Sequence, residues 1–234
     1  PGKKAAFPGM ILERLSAIRK RIADAAKRSG RADRPVEMLA VVKKAPLDEL
    51  RLILREGGLL FLGENRIQDA AKRREALGPD GAGKPWRFIG RLQTNKAKQA
   101  AALFDWVDSV DGVELAEALD ARAAQAGKRL KVLLQVKLSG RETQGGTAPG
   151  ELETLLARVR SLPHLEPRGL MAIAPMLEPV EGLRPRFRFM RTLLDRHFAP
   201  ESEPVLSMGM SRDFELAVEE GATLVRIGSA LFEP

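Results

Sequence analysis

The sequence predicts a single (β/α)8 TIM-type barrel carrying an extra N-terminal helix, and three observations lead there. Eight apolar runs of strand length alternate with helix-like segments along the 234 residues. They recur at intervals of about 25 to 35 residues, the count and rhythm of a closed parallel barrel of ordinary size. The turn after the first run, VVKKAPLDE, holds no glycine, so the Gly-rich fingerprint of the alternative architecture, a doubly wound open sheet, is missing. No linker or internal repeat interrupts the alternation. The expectation is one domain over 1–234, with a leading helix in 1–35 and the barrel in 36–232.

From Met10 to Ser29, Ile11, Leu12, Leu15, Ile18, Ile22 and Ala25 recur at helical spacing, and Gly30 stops the helix. Val36 to Pro46, VEMLAVVKKAP, is the first strand, an apolar run that closes on two lysines before the helix Leu47 to Arg55. Gly57 and Gly58 end that helix, LLFLGEN is the second strand, and a helix follows from Arg66 to Leu77. A Gly/Pro turn region, Gly78 to Lys84, leads to WRFIGRL as third strand and a helix from Thr94 to Leu103. Asp105 to Asp111 alternates as a fourth strand before the helix Val113 to Ala126. Lys131 to Ser139, KVLLQVKLS, is the fifth, and the loop GRETQGGTAPG separates it from the helix Glu151 to Ser161. Leu165 to Pro175, Pro204 to Ser211 and TLVRIGSALF complete the strands, with helices Leu183 to Phe198 and Asp213 to Glu220 between them.

Composition removes several function classes. With no cysteine there is no disulfide, thiolate metal site or cysteine nucleophile. The two histidines, His164 and His197, fall in stretches read as connections, so no metal is expected. The net charge of +8 would suit an anionic partner. Yet the basic residues lie scattered with acids along amphipathic helices, Lys72, Arg73 and Arg74 among them, and no basic stretch is interleaved with stacking rings. Nucleic acid is therefore not expected as a partner. No run approaches the roughly 20 apolar residues of a membrane span, and PGKKAAFPGM lacks the apolar core of a signal peptide, which leaves the cytoplasm as the expected location.

In a barrel, function sits at the C-terminal ends of the strands. Those ends read Lys43 or Lys44; Gly63, Glu64, Asn65; Gly90 to Gln93; Asp108, Ser109; Lys137, Ser139; Met171, Ala174; Ser207 to Ser211; Arg226 to Ser229. SMGMSRD after strand seven and RIGS after strand eight stand where barrels build phosphate sites, because glycine admits the anion to the backbone and serine supplies a donor. A phosphate seat beside strand eight and a lysine ending the neighbouring strand one describe a site for pyridoxal phosphate (PLP), the lysine condensing with the aldehyde while the phosphate anchors the other end. Strand side chains alternate, so one lysine faces the mouth, and Lys43 shares its face with Leu39 and Val41.

The motifs AVVKKAP, FLGENRIQ, WRFIGRLQTNK, FDWVDSVD, LLQVKLSG, GLMAIAP and LSMGMSRDFELAVEEGATLVRIGSALF, spanning Met38 to Phe232, resemble the pyridoxal-phosphate-binding homeostasis proteins, relatives of the alanine racemase barrel domain. The resemblance implies PLP held as a Schiff base on Lys43, its phosphate on Ser207, Gly228 and Ser229 with Ser211 beside them. It also implies Arg226 facing the pyridine nitrogen and Asn65 near the ring. A guanidinium cannot give up a proton to that nitrogen, which leaves the ring a poorer electron sink. Val42, Ala45, Arg87, Lys137, Gln144 and Ala172 depart from the family pattern, and all are expected at the mouth.

The reading this favours is a monomeric, non-catalytic carrier and regulator of PLP in vitamin B6 homeostasis, with PLP-dependent apoenzymes as recipients. A PLP-dependent amino-acid enzyme of racemase type is the alternative, and a barrel binding some other phosphorylated metabolite is a third. Two-base racemisation needs proton carriers on both faces of the substrate α-carbon. In the resembling racemases one is a tyrosine from another domain; this chain has no tyrosine and is expected to end with the barrel at Pro234.

Overall fold

The structure, a computed structural model, describes residues 8–138 and 145–233. Eight parallel strands close on themselves in chain order: β1 Glu37–Val41, β2 Phe61–Glu64, β3 Trp86–Phe88, β4 Trp106–Val110, β5 Leu130–Val136, β6 Leu165–Ala172, β7 Val205–Met210 and β8 Leu224–Ile227. Around them run α1 Pro8–Arg28, α2 Leu47–Arg55, α3 Ile67–Leu77, α4 Ala97–Leu103, α5 Val113–Gln125, α6 Leu152–Arg160, α7 Arg184–His197, α8 Phe214–Glu219 and α9 Ser229–Phe232. The closed barrel with a leading helix is thus the observed architecture. Closure brings β8 against β1, with Leu39 opposite Arg226 and Ala40 opposite Ile227. The last strand thereby lies beside the strand that leads to the lysines.

Alternation along each strand sorts side chains between two cores. Met38, Ala40 and Val42 join the main apolar layer between strands and helices. Leu39 faces the barrel interior, where Gly63 of β2 has no side chain; a Cβ there would lie 2.8 Å from Leu39 Cδ2. Trp106, Leu133 and Met171 form a smaller interior cluster, packed by Ile173 and Val205. The leading helix buries Ile11, Leu15, Ile18, Ile22 and Ala25, each large side chain contributing about 1.5 to 3 kcal/mol. On its flank Arg21 and Arg28 meet Glu215 and Glu219 of α8 at 2.6 and 2.8 Å.

Two stretches differ from expectation. WRFIGRL narrows to the three residues of β3, although the Ile89 N–H still reaches the Glu64 carbonyl at 2.9 Å. TLVRIGSALF is strand only as far as Ile227; Gly228 breaks it, and Ser229–Phe232 turns into α9. The reason is packing: Leu231 and Phe232 are buried, and Arg14 of α1 caps the Leu231 carbonyl at 2.8 Å. His197 is the last residue of α7 and not part of a connection.

Candidate functional site

At the β7, β8 and β1 edge of the mouth, two backbone amides converge on one oxygen. The N–H groups of Gly228 and Ala230 donate to the Ser211 hydroxyl at 3.3 and 3.2 Å. Gly228 also lies close to β1, since a Cβ there would stand 3.3 Å from Val41 Cβ. The turn that carries Ser211 is built by its own sequence. Gly209 has φ +90, and a Cβ would come within 2.6 Å of Ala217 Cβ, so only glycine lets β7 press against α8. Asp213 accepts the Met210 N–H at 2.6 Å and returns its own N–H to the Met210 carbonyl at 3.0 Å. Burial pushes the Asp213 carboxyl above its ordinary range despite that bond. Converging N–H donors, a hydroxyl and absent side chains make a seat for acid oxygens. Ser229 stands exposed at its rim.

Ser207 does not share that seat. It lies inside β7, fully buried, and Arg226 donates to its carbonyl at 2.9 Å and its hydroxyl at 2.8 Å. Of the expected phosphate residues, Ser207 lies within the strand, while Ser211 follows its end and meets Gly228. Arg226 also donates to the Ala172 carbonyl at 2.8 Å, tying β8 to β6. Burial lowers its pKa to about 10, against the pull of Asp108 and Asp213. It remains a cation at neutral pH.

Deeper still, Arg87 meets Asp108 at 2.9 Å, both essentially inaccessible, and its guanidinium lies 3.9 Å from the centre of the Trp106 ring. Burial pushes the Asp108 carboxyl up, with Arg87 and Arg226 opposing. Arg226 is thus set between Asp108 and Asp213, while Arg87 pairs directly with Asp108.

Lys43 is exposed in the turn that follows β1, two residues beyond Val41. Lys44 turns to Glu233, at 3.1 Å. The same turn is braced from below: Arg73 of α3 donates to the Ala45 carbonyl at 2.9 Å and meets the buried Glu64 at 3.3 Å. Glu64 in turn accepts the Asn65 N–H at 3.1 Å. Desolvation raises the Glu64 pKa, with Arg73 as the chief counterweight. Asn65 is half-buried, its Oδ1 without a hydrogen-bond partner. Its backbone is pressed by Gly90, where a Cβ would fall 2.3 Å from the Asn65 carbonyl oxygen.

The expected site residues thus occupy three places. Ser211, Gly228 and Ser229 come together at the seat, with Lys43 beyond the adjoining end of β1. Asn65 lies across the mouth just beyond β2, and Ser207 and Arg226 lie below. The family departures do not all cluster at the mouth. Val42, Ala45 and Ala172 belong to the helix-side core, and Arg87 is deep in the barrel. Lys137 is half-buried near the rim, while Gln144 and Ser139 lie outside the described residues. Sequence reasoning placed Arg73 on a solvated face because Lys72, Arg73 and Arg74 form one basic run; its 16% exposed side chain pairs instead with Glu64. The Ala230 amide was also missed, since no residue type marks a backbone donor. Among the described residues no cluster of three or more His, Cys, Asp or Glu stands ready for a metal.

The profile of the alanine racemase N-terminal domain family matches residues 14–233. The pyridoxal phosphate homeostasis protein of Aquifex aeolicus is 41% identical over 222 residues, which cover 94% of this chain and 96% of that protein. The protein of the same name from Pseudomonas aeruginosa is 40% identical over 225 residues, covering 95% and 94%. PipY of Synechococcus elongatus, solved with PLP bound, superposes with a TM-score of 0.80 at 36% identity, covering 95% of this chain and 99% of that one. The chain therefore belongs to the pyridoxal phosphate homeostasis proteins, within the family of the alanine racemase N-terminal domain.

Proposed function

We propose that this protein is a non-catalytic PLP carrier in intracellular vitamin B6 homeostasis, a single-domain monomer that holds the cofactor through a Schiff base to Lys43. The observation that carries this reading is the convergence of the Gly228 and Ala230 amides on Ser211, beside the strand end from which Lys43 follows. The donor set fits a phosphate, and the kinship with proteins named for PLP homeostasis, one solved with PLP, supports the identity of the ligand. When bound, the cofactor supplies an aldehyde and an electron-withdrawing ring. The chain supplies the rest.

In this reading Ser211, Gly228, Ser229 and the Ala230 amide hold the phosphate, and Lys43 provides the amine. Arg226, fixed by Ser207 and Ala172, presents a cation that disfavours a proton on the pyridine nitrogen. Asn65 borders the ring from β2. Delivery to PLP-dependent apoenzymes would be the biological use, in the cytoplasm. No helix among the described residues is long and apolar enough to cross a membrane.

The test is spectroscopic. PLP-loaded protein should show a visible imine band that borohydride abolishes, with the reduced adduct mapping to Lys43. Lys43→Ala should lose the band, and Lys44→Ala should keep it because that side chain is turned to Glu233. An adduct on Lys44 alone would overturn the assignment, and the absence of any adduct would overturn the carrier reading.

A further inference from the structure

We propose that the half of the mouth opposite the Ser211 seat is a second binding site, for a small anion carrying two or more acid groups. A cavity of about 650 Å³ opens over the ends of β2, β3 and β4, walled by Asn65, Arg66, Gln68, Arg91, Lys96 and Asp111. That is the size of a small-molecule site. Lys43, Ser211, Gly228 and Ser229 are not in its wall; Asn65 is the member of the expected cofactor set that borders it.

Among the described residues of its wall, three cations outnumber two carboxylates. Arg66 follows β2, Arg91 and Lys96 both lie in the connection between β3 and α4, and the three side chains make no hydrogen bond or ion pair with the described residues. Elsewhere arginines are commonly engaged: Arg55 meets Asp80 at 2.7 Å, and Arg184 meets Glu219 and Glu220 at 2.9 and 2.8 Å. Two carboxylates also border the cavity, and each has another occupation. Asp111 accepts the Gly146 N–H at 3.1 Å. Glu114 sits in the first turn of α5, its Oε2 3.5 Å from the point where a Cβ of Gly112 would stand, so it lies over its own helix start, where a negative charge is favoured.

Two guanidinium forks and an ammonium are therefore left for an outside acceptor. One acid group saturates one fork; engaging all three cations takes at least two. Gln68, Gln93 and Thr94 add neutral donors to the same wall. Phosphate and carboxylate oxygens share this chemistry, so pyrophosphate and citrate are the two probes.

The site does not depend on the cofactor reading, and the measurement keeps the two apart. Calorimetric titration of the full chain, both apo and PLP-loaded, with each probe at matched ionic strength should show saturable one-to-one binding of at least one of them. The affinities of the two protein forms should agree within about twofold, since the two sites share Asn65 but none of the three cations. Arg66→Gln, Arg91→Gln and Lys96→Gln should each weaken binding about tenfold, the loss of one charge-assisted contact. Lys98→Gln, on an exposed helix position outside the cavity wall, should change nothing. Thermal melts of all variants should match wild type, because these side chains hold no partner in the fold. Absence of saturable binding of either probe would overturn the proposal. So would binding unchanged in the Arg66→Gln, Arg91→Gln double variant, or binding confined to apo protein and displaced by PLP, which assigns the anion to the Ser211 seat. Failure to load PLP is read separately from the visible band and sinks only the carrier reading.

Discussion

Arg226 donates through one nitrogen to both the carbonyl and the hydroxyl of Ser207, at 2.9 and 2.8 Å, and so clips β8 to β7 inside the barrel. Ser207 is thereby committed to the scaffold, and Ser211 alone of the two serines reaches the Gly228 amide. Ser211→Ala should weaken PLP retention by about 1 to 3 kcal/mol, the cost of one charge-assisted bond. Ser207→Ala should leave retention close to wild type and lower unfolding stability by about 1 kcal/mol. Equilibrium dialysis with PLP, and with pyridoxal as the control lacking phosphate, reads the first; urea denaturation reads the second. The reverse pattern would return the anchor to Ser207.

The Arg87 and Asp108 pair poses a different test. Both are buried and 2.9 Å apart, so removing one partner strands the other charge. Asp108→Asn should cost about 3 to 5 kcal/mol, whereas the double replacement Arg87→Met with Asp108→Leu should be near neutral or stabilising. Denaturant melts of Arg87→Met, of Asp108→Leu and of the double variant form the cycle, with Asp108→Asn read beside it. A small loss in Asp108→Asn would mean that the pair contributes little.

Glu64 gives a pH dependence with a definite sign. Desolvation raises its folded-state pKa above the ordinary glutamate range, against Arg73. Between that range and the raised value the folded protein keeps a proton that the unfolded chain has lost, so this group's contribution to stability falls as pH rises through the window. Glu64→Gln has no such proton. The stability difference should therefore move in the variant's favour with rising pH, from an offset set by the lost Arg73 contact. Parallel melts of both proteins at several pH values from acid to neutral check it, and a difference moving the other way would show a depressed carboxyl.

Racemase activity is not expected. The 234 residues include no tyrosine to serve as the second proton carrier. In the proposed site Arg226 would give up no proton to a pyridine nitrogen and so would give a carbanion little support. Holo-protein incubated with L-alanine in heavy water should show at most slow exchange and no D-alanine. Turnover in the ordinary enzyme range of roughly 1 to 1000 per second would replace the carrier reading with an enzyme.

The barrel and the motifs of its mouth were legible in the sequence because both are local. Alternation in VEMLAVV and KVLLQV, helical spacing from Ile11 to Ala25, and glycines in SMGMS and RIG are recorded within a few residues of one another. So too was the neighbourhood of Lys43 and the RIGS turn, since closure obliges the eighth strand to meet the first. Tertiary structure decided what depends on depth and on distant partners. Four positions separate the buried Ser207, held by Arg226 inside β7, from Ser211, which meets the Gly228 amide beyond the strand's end, yet in sequence both are serines beside a Met. Arg73 reads as one of three solvated bases until α3 turns it toward Glu64 and the Ala45 carbonyl. Lys44 is set apart from Lys43 by Glu233 at the far end of the chain. The physical reason is common to all of these: periodicity specifies which face a side chain occupies, while its depth, its ion partner and its solvation are properties of the closed barrel.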